Sequence, residues 1–115
     1  MGKIEKDMLR GHLEGLVLSV LERGDGHGYM ILNRLRELSA GTLQLREGSL
    51  YPALYRLEES GLVRARWDTS GSEERPGPRR RTYSLTRRGK KTLSERRQAW
   101  EQFAQVVGTI LEPAP

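Results

Sequence analysis

The chain contains no cysteine. That excludes disulfides and thiolate metal sites and fits a reducing compartment. Aromatics are scarce, with four Tyr, two Trp and one Phe in 115 residues. So few large rings argue against one big core and for stability shared with a partner chain. No stretch approaches the roughly eighteen apolar residues that mark a membrane-crossing helix. The segment Met1-Gly2-Lys3-Ile4-Glu5-Lys6-Asp7 lacks the apolar run of a signal peptide. A soluble, intracellular protein of one domain, with an appended helix, is expected. No Ser, His and acid form a recognisable catalytic set, and no glycine-rich phosphate loop is present. His12 and His27 are the only histidines, and no spacing around them suggests a metal site. His27 reads instead as a structural helix-start residue. Neither an enzyme nor a cofactor is expected.

What the chain does have is positive charge. Charged residues make up 30% and the net charge is +5. From Arg79 to Arg97 the chain carries Arg79, Arg80, Arg81, Arg87, Arg88, Lys90, Lys91, Arg96 and Arg97 against one acid, Glu95. Such a field attracts polyanions and drives salt-dependent phosphate binding. Its bland alternative is a solvated helix face plus a loop.

Apolar periodicity predicts four helices. Leu9, Leu13, Leu16, Val17, Val20 and Leu21 place the first from about Lys6 to Glu22, ended by Gly24-Asp25-Gly26. The second runs from Tyr29 to about Ser39, with Ile31, Leu35 and Leu38 on one face, and Gly41 stops it. In the third, Leu50, Ala53, Leu54 and Leu57 fall at i, i+3, i+4, i+7, and Gly61 caps its end. Its opposite face carries Ser49, Tyr51, Tyr55 and Arg56, which are phosphate and base-edge hydrogen bonders. Pro52 lacks an N–H and suits a first turn, which on local grounds alone puts the cap at Ser49.

Val63-Arg64-Ala65-Arg66-Trp67 and Arg81-Thr82-Tyr83-Ser84-Leu85 alternate as strands do. Between them the segment from Asp68 to Arg80 reads as a long hairpin loop. Thr86 then caps a final helix of roughly 25 residues. Its stripe of Leu93, Trp100, Phe103, Ala104, Val107, Ile110 and Leu111 is too wide for so small a domain to cover. The order helix, helix, helix, strand, strand, helix gives a mostly α fold with a small β-ribbon. It is a winged helix-turn-helix, residues 1–85, plus a long C-terminal dimerisation helix, residues 86–115.

Leu9-Arg10-Gly11, His27-Gly28-Tyr29 and above all Glu47-Gly48-Ser49-Leu50-Tyr51-Pro52-Ala53-Leu54 resemble the PadR family of bacterial transcriptional regulators. Arg56-Leu57-Glu58, Gly61-Leu62-Val63 and Tyr83-Ser84-Leu85-Thr86-Arg87-Arg88-Gly89 extend the likeness. The single C-terminal helix is similar to the short subgroup of the family. The resemblance implies a cytoplasmic homodimer, mostly repressive, on palindromic double-stranded DNA. It also implies a third helix beginning near Glu47, with Pro52 one turn in. Some members sense small aromatic or cationic compounds near the dimer interface.

Ser49, Tyr51, Pro52, Tyr55 and Arg56 are therefore the expected DNA contacts on the third helix, joined by Arg79, Arg80 and Arg81 of the wing. The alternatives are tyrosines packed on the first helix and a wing that meets only bulk DNA charge. Trp100, Phe103, Ala104, Val107 and Leu111 are expected at the dimer seam, where they either seal a core or line an effector pocket. A winged helix used as a protein-interaction module, its basic surface meeting an acidic partner, is the competing function.

Overall fold

In a computed structural model, Leu9, residues 11–68 and residues 80–115 are described. The elements are α1 Leu13–Glu22, α2 Gly28–Leu38, α3 Glu47–Glu59, β1 Val63–Trp67, β2 Arg81–Leu85 and α4 Arg87–Leu111. No described helix is long and apolar enough to cross a membrane.

Three apolar faces meet in one core. Val17, Leu18, Val20 and Leu21 come from α1, Ile31 and Leu35 from α2, and Leu50, Leu54 and Leu57 from α3. Leu62, Val63 and Tyr83 close it from the ribbon and Leu93 from α4. The strands pair antiparallel from Val63↔Leu85 to Trp67↔Arg81, matching the limits read from their alternation. A further bridge joins Gly26 to Tyr83 through two backbone bonds of 3.1 and 2.9 Å, fastening the α1–α2 turn to the ribbon.

The helix ends follow local chemistry with two corrections. The first helix starts at Leu13, not near Lys6: Gly11 turns the chain at φ +84°, and the His12 N–H bonds to the Leu9 carbonyl. Residues 1–8 and 10 lie outside the described part. α2 stops before Gly41 as expected; Gly41 takes φ +84°, and Ala40 ahead of it φ +51°. The Gly41 N–H then reaches back to the Arg36 carbonyl at 2.8 Å. The second correction concerns α3, whose N-cap is Arg46 and not Ser49. Its C-terminus is as expected. Gly61 takes φ +74°, and the Leu62 and Gly61 N–H groups bond to the Leu57 and Glu58 carbonyls. That pattern satisfies the last carbonyls of the helix.

Thr86 caps α4 and does more. Its Oγ1 accepts from the Gly89 N–H at 3.0 Å, and its hydroxyl donates toward the Gly61 and Leu62 carbonyls. One side chain thus ties the start of α4 to the end of α3. Thr86→Ala should cost about 1–2 kcal/mol, the upper range for a lost cap, measured as a shift in urea midpoint without a change in slope.

After Leu93, which is buried, no residue of α4 is buried on its own chain. The helix runs on to Leu111 as an overhang, giving the molecule extents of 68 × 31 × 21 Å.

Candidate nucleic-acid interface

The α3 backbone starts without help from a side chain. Ser49 and Leu50 N–H groups bond to the Arg46 carbonyl at 3.0 and 3.1 Å, but the Arg46 side chain makes no capping bond. The N–H groups of Glu47 and Gly48 therefore point out of the helix start without a partner among the described residues. Such a start favours an anion. Pro52 sits one turn in and has no N–H to offer the Gly48 carbonyl. Nothing lies within 4 Å of where a Gly48 side chain would stand, so the backbone there is open to approach.

Pro52, Tyr51, Tyr55 and Arg56 are exposed on α3, and Ser49 is half-buried. The two tyrosines do not share one environment with Arg56. They line an open cleft of about 600 Å³ between the start of α2, α3 and the ribbon. His27 and Tyr29 form its α2 wall, and Trp67, Arg80, Arg81 and Tyr83 its ribbon wall. All four tyrosines of the chain meet here. Gly28 is what lets Tyr51 in, since a Cβ at Gly28 would stand 2.5 Å from the Tyr51 hydroxyl oxygen. This explains the glycine of His27-Gly28-Tyr29. His27 holds the N-cap position of α2, and its Nδ1 lies 3.3 Å from Thr82 Oγ1. The Glu59 carboxylate beside the Tyr55 hydroxyl raises the pKa of Tyr55 above the ordinary value.

The arginines divide. Arg80 is exposed at the ribbon end. Arg81 turns inward: its Nη2 donates to Glu58 Oε1 at 2.8 Å, and its guanidinium lies 5.3 Å from the Trp67 ring and 5.9 Å from Tyr83. It joins the ribbon to α3. Arg79 lies outside the described residues, with most of the loop expected from Asp68 to Arg80. Arg56 points the other way along α3, toward α1, where its Nε donates to Glu14 Oε1 at 2.9 Å. Arg96 of α4 reaches the other Glu14 oxygen at 3.2 Å. Partial burial pushes the Glu14 carboxyl up, but the hydrogen bonds from Arg56 and Arg96 outweigh it and hold its pKa below the usual value.

On α4, Trp100, Phe103, Ala104 and Leu111 are exposed and Val107 is half-buried. Trp100 and Phe103 rings are 6.1 Å apart, and His12 meets Trp100 edge-on at 5.2 Å. Sequence reasoning missed Tyr29, Trp67 and Glu14. The signals for the first two were present, in the His-Gly-Tyr motif and at the strand end. Glu14 gave none, since its partners lie on two other helices.

The sequence profile of the transcriptional regulator PadR-like family matches residues 17–95, from α1 through the ribbon into α4. The chain belongs to the PadR family. A transcriptional regulator from Clostridium thermocellum has the same fold, with a TM-score of 0.83 and 28% identity over 95% of this chain and 99% of that one. A PadR-family regulator from Eggerthella lenta is 32% identical, with a TM-score of 0.79 over 94% of this chain and 88% of that one. The transcriptional regulator YqjI of Escherichia coli is 28% identical over 99% of this chain, which spans only 54% of YqjI. PadR-family proteins are DNA-binding transcriptional regulators, not enzymes. The winged helix-turn-helix with its C-terminal helix is shared with these relatives, so α3 and the ribbon of this PadR protein are the elements through which to seek its DNA contacts.

Proposed function

We propose that this PadR protein is a homodimeric, sequence-specific repressor whose DNA affinity responds to a small molecule. Residues 1–85 form the DNA-binding unit and residues 86–115 the dimerisation helix. Two α4 helices bury each other's stripe and set the two α3 helices about one DNA turn apart on a palindrome. The observation that carries this reading is the pairing of an open, uncapped α3 start with an α4 that has no buried residue beyond Leu93 on its own chain.

On DNA, Arg56 reads a base edge, and Ser49, Tyr51 and Tyr55 hydroxyls go to phosphates. Pro52 and the Gly48 backbone lie close to the strand, and Arg79 and Arg80 reach it from the wing. Arg81 acts by holding the ribbon against α3. A small aromatic or cationic effector stacks between Trp100 and Phe103 of the two copies, with Ala104, Val107 and Leu111 around it. It acts by preferring a dimer geometry in which the half-site spacing fails.

The test is fluorescence anisotropy on the DNA upstream of the chain's own coding region and on a scrambled duplex, at two salt concentrations. Tight binding to the native duplex alone is expected. In that assay Arg56→Ala should cost about 1–3 kcal/mol of affinity and relax discrimination at one base pair per half-site. Equal, weak binding to both duplexes that vanishes with salt would overturn the reading.

A further inference from the structure

Arg56 is the only cation in α3, against Glu47, Glu58 and Glu59. Its one hydrogen bond uses Nε, given to Glu14. Both terminal nitrogens, Nη1 and Nη2, carry no bond among the described residues. Glu14 is itself pinned, because Arg96 takes its second oxygen. The side chains graduate outward: Glu14 is 26% exposed, Arg96 36% and Arg56 57%. A guanidinium held at Nε from behind, with its two Nη groups free in front, is oriented for end-on bidentate donation to a guanine O6 and N7.

We propose that Glu14 is a specificity-determining positioning residue of this regulator: clamped by Arg96, it presents Arg56 to a guanine in the operator. This rests on the DNA-binding reading above. The geometry acts in two ways. It restricts the rotamers of a long side chain, so less freedom is lost when the two base-edge bonds form. It also offsets the charge of Arg56, so a phosphate at any sequence gains less from it. Both effects widen the gap between operator and random DNA. Three elements supply the device, with Glu14 from α1, Arg56 from α3 and Arg96 from α4.

The experiment uses the full chain and compares wild type, Glu14→Gln, Arg56→Ala and the double variant on the upstream duplex and a scrambled one. The quantity read is the ratio of the two affinities, with the melting temperature of each variant alongside. Glu14→Gln keeps the shape and removes the charge. It should lower the ratio about tenfold, by weakening operator binding while scrambled binding holds or rises. Arg56→Ala should lower the ratio at least as far, and Glu14→Gln on top of it should change nothing more. Arg96→Gln, which removes the cation from the second Glu14 oxygen, should give a smaller fall of the same kind.

A merely structural Glu14 would weaken both affinities together and leave the ratio fixed. That result, in a variant that still folds, would overturn the proposal while leaving the regulator reading intact. So would a further fall in the double variant. If wild type itself fails to distinguish the duplexes, the regulator reading falls, and the proposal falls with it.

Discussion

Gly89→Ala is expected to cost about 2–4 kcal/mol of stability, the upper range for forcing an atom into a packed site. A Cβ at this position would collide with the backbone carbonyl oxygen of Leu62 and stand 2.8 Å from Leu85 Cδ1. The carbonyl cannot step aside, because it also accepts the Thr86 N–H at 3.1 Å. To relieve the contact, the first turn of α4 must lift off the junction of α3 and β1, and Leu93 is drawn out of the core with it. Thermal unfolding followed by circular dichroism should show a midpoint lower by roughly 10 °C or more. Gly48→Ala is the control, for that position has open space around it and should be neutral or slightly stabilising. Equal midpoints for the two variants would refute the close approach of α4 to Leu62.

The second large effect is on assembly. Phe103→Glu should convert the dimer to a monomer at micromolar concentration, read by sedimentation equilibrium. On one chain Trp100 is 52%, Phe103 57% and Ile110 75% exposed. Burying each against a second copy is worth about 1.5–3 kcal/mol, and a carboxylate placed among them reverses the sign. Operator affinity should fall by about a hundredfold or more, since each winged domain then binds its half-site alone. Melting of the winged core should change little, because Phe103 lies beyond the last buried residue of α4. A wild-type protein already monomeric, or a variant that stays dimeric, would sink the proposed seam.

Much of this architecture was legible in the chain. The i, i+3, i+4, i+7 apolar set of α3 is buried as read, and Gly61 ends the helix in the left-handed conformation expected. Both strands begin and end where their alternation does. The misses among the arginines share a cause: they turn on contacts between elements. Nothing local distinguishes inward Arg81 from exposed Arg80 in a run of three arginines; the partner of Arg81 is a carboxylate on α3. Likewise Arg56 meets an acid from α1. The start of α3 was misplaced on local grounds because Pro52 favours a first turn, yet the helix carries it one turn in. The motif as a whole implied that longer helix, whereas the proline taken alone did not.

The bridge between Gly26 and Tyr83 bears on the entropy of DNA docking. It laces the turn before α2 to the central residue of β2, while Arg81 and Glu58 fasten the ribbon to α3. The ribbon is thus fastened at one point to the α1–α2 turn and at another to α3, and it has little freedom to rock against either. A reader assembled from loosely jointed parts would have to freeze that joint each time it met its site, and would lose affinity in doing so. Here the joint is frozen during folding. The angle between α3 and the ribbon is a property of the free protein, and on the proposed reading a duplex whose grooves do not match it must itself bend to fit.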